Sequence, residues 1–326
     1  MKKILGESHR NQVVLFDPAC ASQNIGDEII SSSAQRWINP LFEGDFIMRV
    51  STHQKMSFRY RRYLNDSKAY FVLGSNLLKS GMLFGFRQWD VSLADSLQIH
   101  DAILVGCGWH AYEKRVGLYS TLLFRSILSK ELYQSVRDEY TKAQLESMGF
   151  SNVLNTACAT MWGFTPDFCE AIPRQRATNV ITTITDYNQD PVRDEQMLAT
   201  LLNEYETVSI WLQGNGDRKY ASSLPSFAKC ELIPSTLKEF DVALDANDVD
   251  YVGTRLHGGI RALQHGRRAL IIAIDNRARE KHHDFNIPTL ERDDMDDLND
   301  WIEGERATDI RIPMREIEQF LSQFKK

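Results

Sequence analysis

No stretch of this 326-residue chain is apolar enough to cross a bilayer. The longest aliphatic run, Ala269 to Ile274, falls far short of the roughly 20 residues a spanning helix needs. Cysteine is sparse. Cys20, Cys107, Cys158, Cys169 and Cys230 are odd in number, scattered and free of CxxC spacing, which speaks against a disulfide framework or a zinc site and fits a reducing compartment. Positive charge is never concentrated: no basic run exceeds three or four residues, so a polybasic membrane anchor is not expected. The formal net charge of −6 argues against non-specific nucleic-acid binding, which needs a basic face. "MKKILGESHR" carries two lysines but no apolar core of signal-peptide length, and no GxGxxG fingerprint with a downstream acid marks a dinucleotide enzyme. Repeats and low-complexity tracts are also missing. These absences predict a soluble, cytoplasmic protein without a transmembrane segment.

What is present is ordinary globular composition, 43% hydrophobic and 25% charged, over a length that suits two domains better than one. The first half alternates short apolar runs with helix-like segments. "VVLF" (13–16), "AYFVLGSN", "DAILVGCGW", "LYQSVRD" and "NVLNTAC" read as strands, and "EIISSSAQRWI" and "DEYTKAQLESMG" as helices, the latter stopped by Gly149. Around "FTPDFCEAIPRQRATN" prolines and polar residues break the rhythm, so we set the domains at 1–172 and 173–326. The pattern then restarts with "NVITTIT", "TVSIWLQG", "DYVGT" and "ALIIAID" as strands and helices between them. Alternation of this kind predicts two doubly wound, Rossmann-like α/β domains in a GT-B-like arrangement. A C-terminal helix is expected to place Ile317, Phe320, Leu321 and Phe324 on one face, with Pro313 in its first turn and Lys325 and Lys326 at its negative end.

The stretch "GTRLHGGIRALQHG" (253–266) places Arg255 at a strand-to-helix junction and His257 in the first helical turn. Free N–H groups at such a junction attract anions, a guanidinium there can clamp a phosphate or carboxylate, and Gly258 and Gly259 remove side chains from the approach. The plainer reading pairs Arg255 with a neighbouring aspartate and leaves His257 as a satisfied capping residue. "QGNGD" (213–217) can reach a ligand from the end of its strand or be an ordinary glycine turn. His282-His283-Asp284 suggests a metal, but adjacent histidines point apart, so no metal site is expected.

"TRLHGGIRAL" resembles the C-terminal signature of the polysaccharide pyruvyltransferase family. "NIGDEII" (24–30) is similar to that family's N-terminal Asn-x-Gly-Asp-Glu element, and "SVRDEYTKAQLESMG" (135–149) to its central Arg-Asp junction. Where the family often has a proline before the last strand, this chain has Arg267-Arg268-Ala269, and "DNRAREKHHDF" after that strand reads as a basic loop.

The resemblance implies a pyruvyl (ketal) transferase. Such an enzyme moves pyruvate from phosphoenolpyruvate to two hydroxyls of a sugar, on a precursor of capsule or exopolysaccharide, a lipid-linked oligosaccharide being one form of it. Phosphoenolpyruvate is then a co-substrate, no cofactor is required, and peripheral contact with the inner membrane is open. On this reading Arg255 and Arg137 bind the anionic donor from different domains, with Gly258, Arg277 and Lys281 extending its pocket, the C-terminal domain being the donor side. His257 protonates the donor's methylene carbon or only binds its phosphate. Asn24, Gly26 and Asp27 face the acceptor, unless Asp27 merely caps a helix over a turn at Gly26, and Trp109 stacks on a sugar unless it is a core residue. Arg137 and Asp138 can equally be a local ion pair with Asp138 capping its helix. Arg279 joins the basic segment or is simply solvated. Two other readings remain open: a GT-B glycosyltransferase using a nucleotide sugar, and an inactive binding or scaffold subunit of a polysaccharide assembly complex.

Overall fold

The computed structural model describes residues 10–65, 67–246 and 248–325, so the N-terminal lysines and Lys326 lie outside the described residues. The fold is α/β, two six-stranded parallel sheets with helices. The first sheet comprises β1 (Arg10–Asp17), β2 (Phe46–Ser51), β3 (Ser67–Leu78), β4 (Ile103–Trp109), β5 (Gln134–Val136) and β6 (Val153–Asn155), in the order β2-β1-β3-β4-β5-β6. The second comprises β7 (Asn179–Thr183), β8 (Thr207–Trp211), β9 (Glu231–Ile233), β10 (Val249–Gly253), β11 (Ala269–Ala273) and β12 (Thr289–Glu291), in the order β12-β11-β10-β7-β8-β9. Both orders reverse beside the first strand laid down, the mark of double winding. The central strands β4, β10 and β11 are buried at every position. This is why they read as unbroken apolar runs rather than alternations. β2, a half-exposed edge strand, left no such run and was not legible.

The chain passes between two compact units four times, at 22–23, 29–30, 162–163 and 312–313, where the sequence rhythm offers a single boundary at 172–173. One unit holds residues 1–22, 30–162 and 313–326; the other holds 23–29 and 163–312. The C-terminal helix Met314–Ser322 therefore belongs with the first sheet. Phe320 and Phe324 make edge contacts with Trp162 and Phe71, and Gln323 Oε1 accepts from the Tyr133 N–H at 2.7 Å. Ile317, Phe320 and Phe324 are buried, as the amphipathic pattern predicts, while Leu321 is half-buried and Pro313 sits at the N-cap rather than inside the first turn.

Two departures from the sequence reading have physical causes. "DNRAREKHHDF" is a helix, Asn276–Phe285, and not a loop. Asp275 caps it by accepting from the Arg277 N–H, and Asn286 closes it in the left-handed conformation. Its heavy charge hid these two ordinary stop signals. Arg268, in the Arg267-Arg268-Ala269 stretch that precedes β11, is buried and donates to Asp250 (2.9 Å) and to the carbonyls of Ile302 and Gly304, with its guanidinium over the Trp301 ring. Proline can make none of these bonds.

The helix Leu256–Gln264 is anchored at its far end by Arg261, which grips Asp241 through two 2.7 Å hydrogen bonds, and by His265, 3.3 Å from the same carboxylate. Burial pushes the Asp241 carboxyl up, but the His265 and Arg261 hydrogen bonds prevail and bring it to about 2, below the usual 3.8. The folded value is depressed, so this contribution is complete above the unfolded value and is lost as pH falls toward 2. Discounted for the group's partial exposure, it is worth about 1 kcal/mol. Urea unfolding of wild type between pH 4 and 2 should therefore lose stability more steeply than Asp241→Asn, and parallel curves would contradict the assignment.

Candidate functional site

In the second unit the strand order reverses between β7 and β10, and the crevice beyond the carboxyl ends of such strands is where open α/β sheets take ligands. Here the ends are laced together. Thr254 N donates to Thr183 O at 3.0 Å and Arg255 N to Thr183 Oγ1 at 3.2 Å. The Tyr251 hydroxyl donates its single proton to Arg255 O at 2.8 Å. Its 2.6 Å contact with Thr183 Oγ1 must then be a hydrogen bond donated by the threonine. Burial pushes the Tyr251 phenol well above its ordinary value, keeping that donor protonated.

Arg255 follows β10 directly and is almost wholly buried. Its Nε donates to Asp217 Oδ2 at 3.1 Å, while Nη2 bonds Asp217 Oδ1 and lies 3.3 Å from Asp186 Oδ1. Asp217 is fully buried and also accepts from the Gly214 and Asp186 N–H groups. Burial drives its carboxyl upward, and Arg255 opposes this. The plainer reading of Arg255, a partner aspartate nearby, is thus what the structure contains. The pair uses Nε and Nη2 of the guanidinium. Tyr187 receives the guanidinium of Arg255 at 5.0 Å and that of Arg277 at 5.2 Å from its ring centre, so two of the expected donor-binding arginines meet one aromatic ring. Arg277 is itself held by Asp275 through a 3.0 Å bond from Nε.

The N-terminal motif joins this same network. Asn24 forms an antiparallel bridge with Gly214, Ile25 N donates to Gln213 O at 3.0 Å, and Gln213 Nε2 donates to Asn24 Oδ1 at 2.8 Å. Gly26 permits this approach, since a Cβ there would lie 2.6 Å from Gln213 Nε2. Asp27 is buried in the first turn of the helix Gly26–Ile38, its N–H bonded to Asn24 O. His257 is buried in the first turn of its own helix. Gly258 and Gly259 have a use the sequence did not suggest: their missing side chains admit Tyr251 and Ile271 of the sheet, rather than a ligand. Lys281 is buried with its Nζ over the Phe285 ring, and Arg279 is bound to Glu291 at the surface.

Arg137 and Trp109 belong to the first unit. Arg137 lies against Gly108, donates to Asp138 Oδ2 at 3.2 Å and is mostly buried, while Asp138 caps the helix Glu139–Ser147 through Thr141 N. Trp109 is buried edge-on to Phe124 and donates from Nε1 to Glu113 at 2.8 Å, so its ring is a core element and not an exposed sugar platform. A cavity of about 400 Å³ opens beyond β1 and β2, lined by Cys20, Arg49, Ser51, Lys55, Met56 and Tyr60 among others, a size suited to a small ligand. Among the described residues no cluster of His, Cys, Asp or Glu could hold a metal, and His282 and His283 turn to separate partners, Ile287 O and Asp284. No helix among the described residues is long and apolar enough to cross a membrane.

Sequence reasoning found Arg255 and weighed the turn 213–217 as a ligand contact without seeing Asp217 as the partner of Arg255, and it missed Asp186 and Tyr187. "QGNGD" carried a signal, a polar turn after a strand; "TDYNQD" (185–190) carried none.

A family model described as polysaccharide pyruvyl transferase matches residues 24–276. No curated protein matches the chain significantly. Among solved structures the chain is similar to UDP-GlcNAc 2-epimerase from Methanocaldococcus jannaschii, with a TM-score of 0.54 and 12% identity over 93% of this chain and 95% of that one. It is also similar to MnaA in the S. aureus MnaA–UDP co-structure, with a TM-score of 0.53 and 11% identity over 96% and 97% of the two chains. At such identity the likeness is one of fold, and it places the chain in the GT-B-like class.

Removing the Asp217 carboxylate strands a buried guanidinium. Asp217→Ala should cost about 3–5 kcal/mol of stability in urea unfolding, and Asp217→Asn distinctly less because it keeps the shape and one acceptor. Equal and small losses would mean that Arg255 is not held as described.

Proposed function

Because the chain belongs to the polysaccharide pyruvyl transferase family, we propose that it transfers pyruvate from phosphoenolpyruvate to two hydroxyls of a sugar, closing a cyclic ketal on a surface-polysaccharide precursor. The observation that carries this reading is the meeting of two family motifs in one network: Asn24–Gly26 bonded to Gln213–Gly214, and Gly214 bonded to the Asp217 that holds Arg255.

The donor carries a phosphate and a carboxylate. Arg255 Nη1 and the N-terminal turn of the helix Leu256–Gln264 meet one of them, and Arg277, at the Tyr187 ring, supplies a second positive centre. With Asp217 already neutralising part of Arg255, the site holds the anion without the excess attraction that would slow phosphate release. His257 gives its proton to the methylene carbon, and the cation formed at C2 is attacked by the first hydroxyl. The C2–O bond to phosphate then breaks, and the second hydroxyl closes the ring. Two hydroxyl protons are released, one balancing the proton placed on carbon and one leaving with phosphate. Asp27, buried beside the Asn24 turn, is the group placed to orient an acceptor hydroxyl.

Phosphoenolpyruvate should raise the Tm where UDP-sugars do not, and a screen of glycosyl acceptors should find one that gains the mass of a pyruvate ketal with release of phosphate. His257→Ala should retain the fold by circular dichroism and lose ~10²–10⁴-fold in turnover, the range for a lost general acid. Near-normal turnover in that variant removes His257 as the acid. Stabilisation by a UDP-sugar and not by phosphoenolpyruvate would favour the nucleotide-sugar reading instead.

A further inference from the structure

On the first unit, two segments bring large apolar side chains into solvent together. Phe84 and Phe86 are 80% and 69% exposed, and Leu118 and Leu122, one turn apart on the helix Leu118–Ile127, are 90% and 55% exposed. The segments are joined directly. Gly117 N donates to Ser80 O (3.0 Å), Ser120 Oγ donates to the same carbonyl (2.7 Å), and Met82 N donates to Ser120 Oγ (2.8 Å). The loop bearing the phenylalanines is also held from within. Lys79 Nζ binds Phe86 O at 3.0 Å, Arg87 Nη1 binds Met82 O at 3.2 Å, and Gly85 at the tip has a φ of +78°, which glycine adopts freely. The aromatics are presented by a fixed turn, without a core beneath them to fill.

The two segments that form this apolar face carry mostly positive charge. Residues 79–87 and 111–126 carry Lys79, Arg87, Lys114, Arg115 and Arg125 against the single carboxylate Glu113, in a chain whose formal charge is −6. Arg87 is paired with Asp90. Glu113 is turned inward, bonded to Ser80 N and Trp109 Nε1, and although burial raises its carboxyl those bonds leave it below its ordinary value. Lys114, Arg115 and Arg125 are exposed. Exposed aromatic and aliphatic side chains rimmed by cations match a lipid surface bearing anionic headgroups: the apolar groups enter the headgroup boundary and the cations meet phosphate. A protein partner with that pattern would need an acidic rim around an apolar pocket.

We propose that the Phe84–Phe86 turn and the Leu118/Leu122 helix face dock the protein peripherally on an anionic membrane. This surface goes beyond the proposed reaction and does not depend on it, although it would bring the enzyme to a lipid-linked acceptor. The test is flotation of the full chain with phosphatidylglycerol–phosphatidylcholine vesicles, alongside sedimentation velocity without lipid. Wild type should float with these vesicles, less so at high salt. Phe84→Ser/Phe86→Ser, folded by circular dichroism, should bind about tenfold or more weakly from the lost apolar insertion. Lys114→Glu/Arg115→Glu should weaken binding at low salt. The proposal is overturned if wild type stays in the lipid-free fraction, floats equally with pure phosphatidylcholine, or floats undiminished in the double serine variant. It is likewise overturned if the patch holds a dimer in solution that the serine substitutions dissolve. None of these readouts requires turnover, so failure of docking and failure of pyruvyl transfer are separate results.

Discussion

Arg255 sits with its guanidinium out of water, and a buried charge must be matched by another. Asp217 supplies the match, and much of the second unit's upper edge follows from that one requirement. Asp217 needs donors for its remaining lone pairs, so the backbone N–H groups of Gly214 and Asp186 turn toward it. Gly214 has to lack a side chain, because a Cβ there would lie 2.3 Å from Arg255 Nη2. The turn that results presents Gln213 and Gly214 to Asn24, and the residue 23–29 segment docks on it. A single ion pair thus organises three separate pieces of chain.

This shapes what the site can do with an anion. A free arginine would bind phosphate strongly in both substrate and product. In the proposed reaction, one already shared between two aspartates would offer a weaker, directional contact, and specificity would pass to the geometry around it. Tyr187 contributes by bringing Arg277 against the same ring as Arg255.

Much of the fold was legible because parallel strands buried on both faces leave apolar runs that no loop imitates; β4, β10 and β11 are examples. Edge strand β2 and the helix Leu118–Ile127 were not, the first because half its residues meet solvent, the second because it has no side-chain cap and exposes leucines. In the site, Arg255 and His257 were legible from their place after a strand. Asp217 was not, since its role depends on a partner 38 residues away. Trp109 shows the converse: its position at a strand end suggested a ligand contact, and only packing against Phe124 reveals a core residue. The docking of Asn24 on Gly214 is likewise a long-range event with no local pattern to announce it.

The four passages of the chain between its units have a bearing on how the protein comes into being. The sheet β1–β6 is synthesised first, yet Trp162, Phe71 and Phe42 of that unit are covered by Phe320 of the helix Met314–Ser322 and by Phe324 just beyond it. While the ribosome is adding the second unit, those aromatics have no cover. The first unit cannot close as a finished body during translation, in contrast to proteins whose domains mature one after another from the N-terminus. The nascent chain must carry an open apolar seam for about half its synthesis.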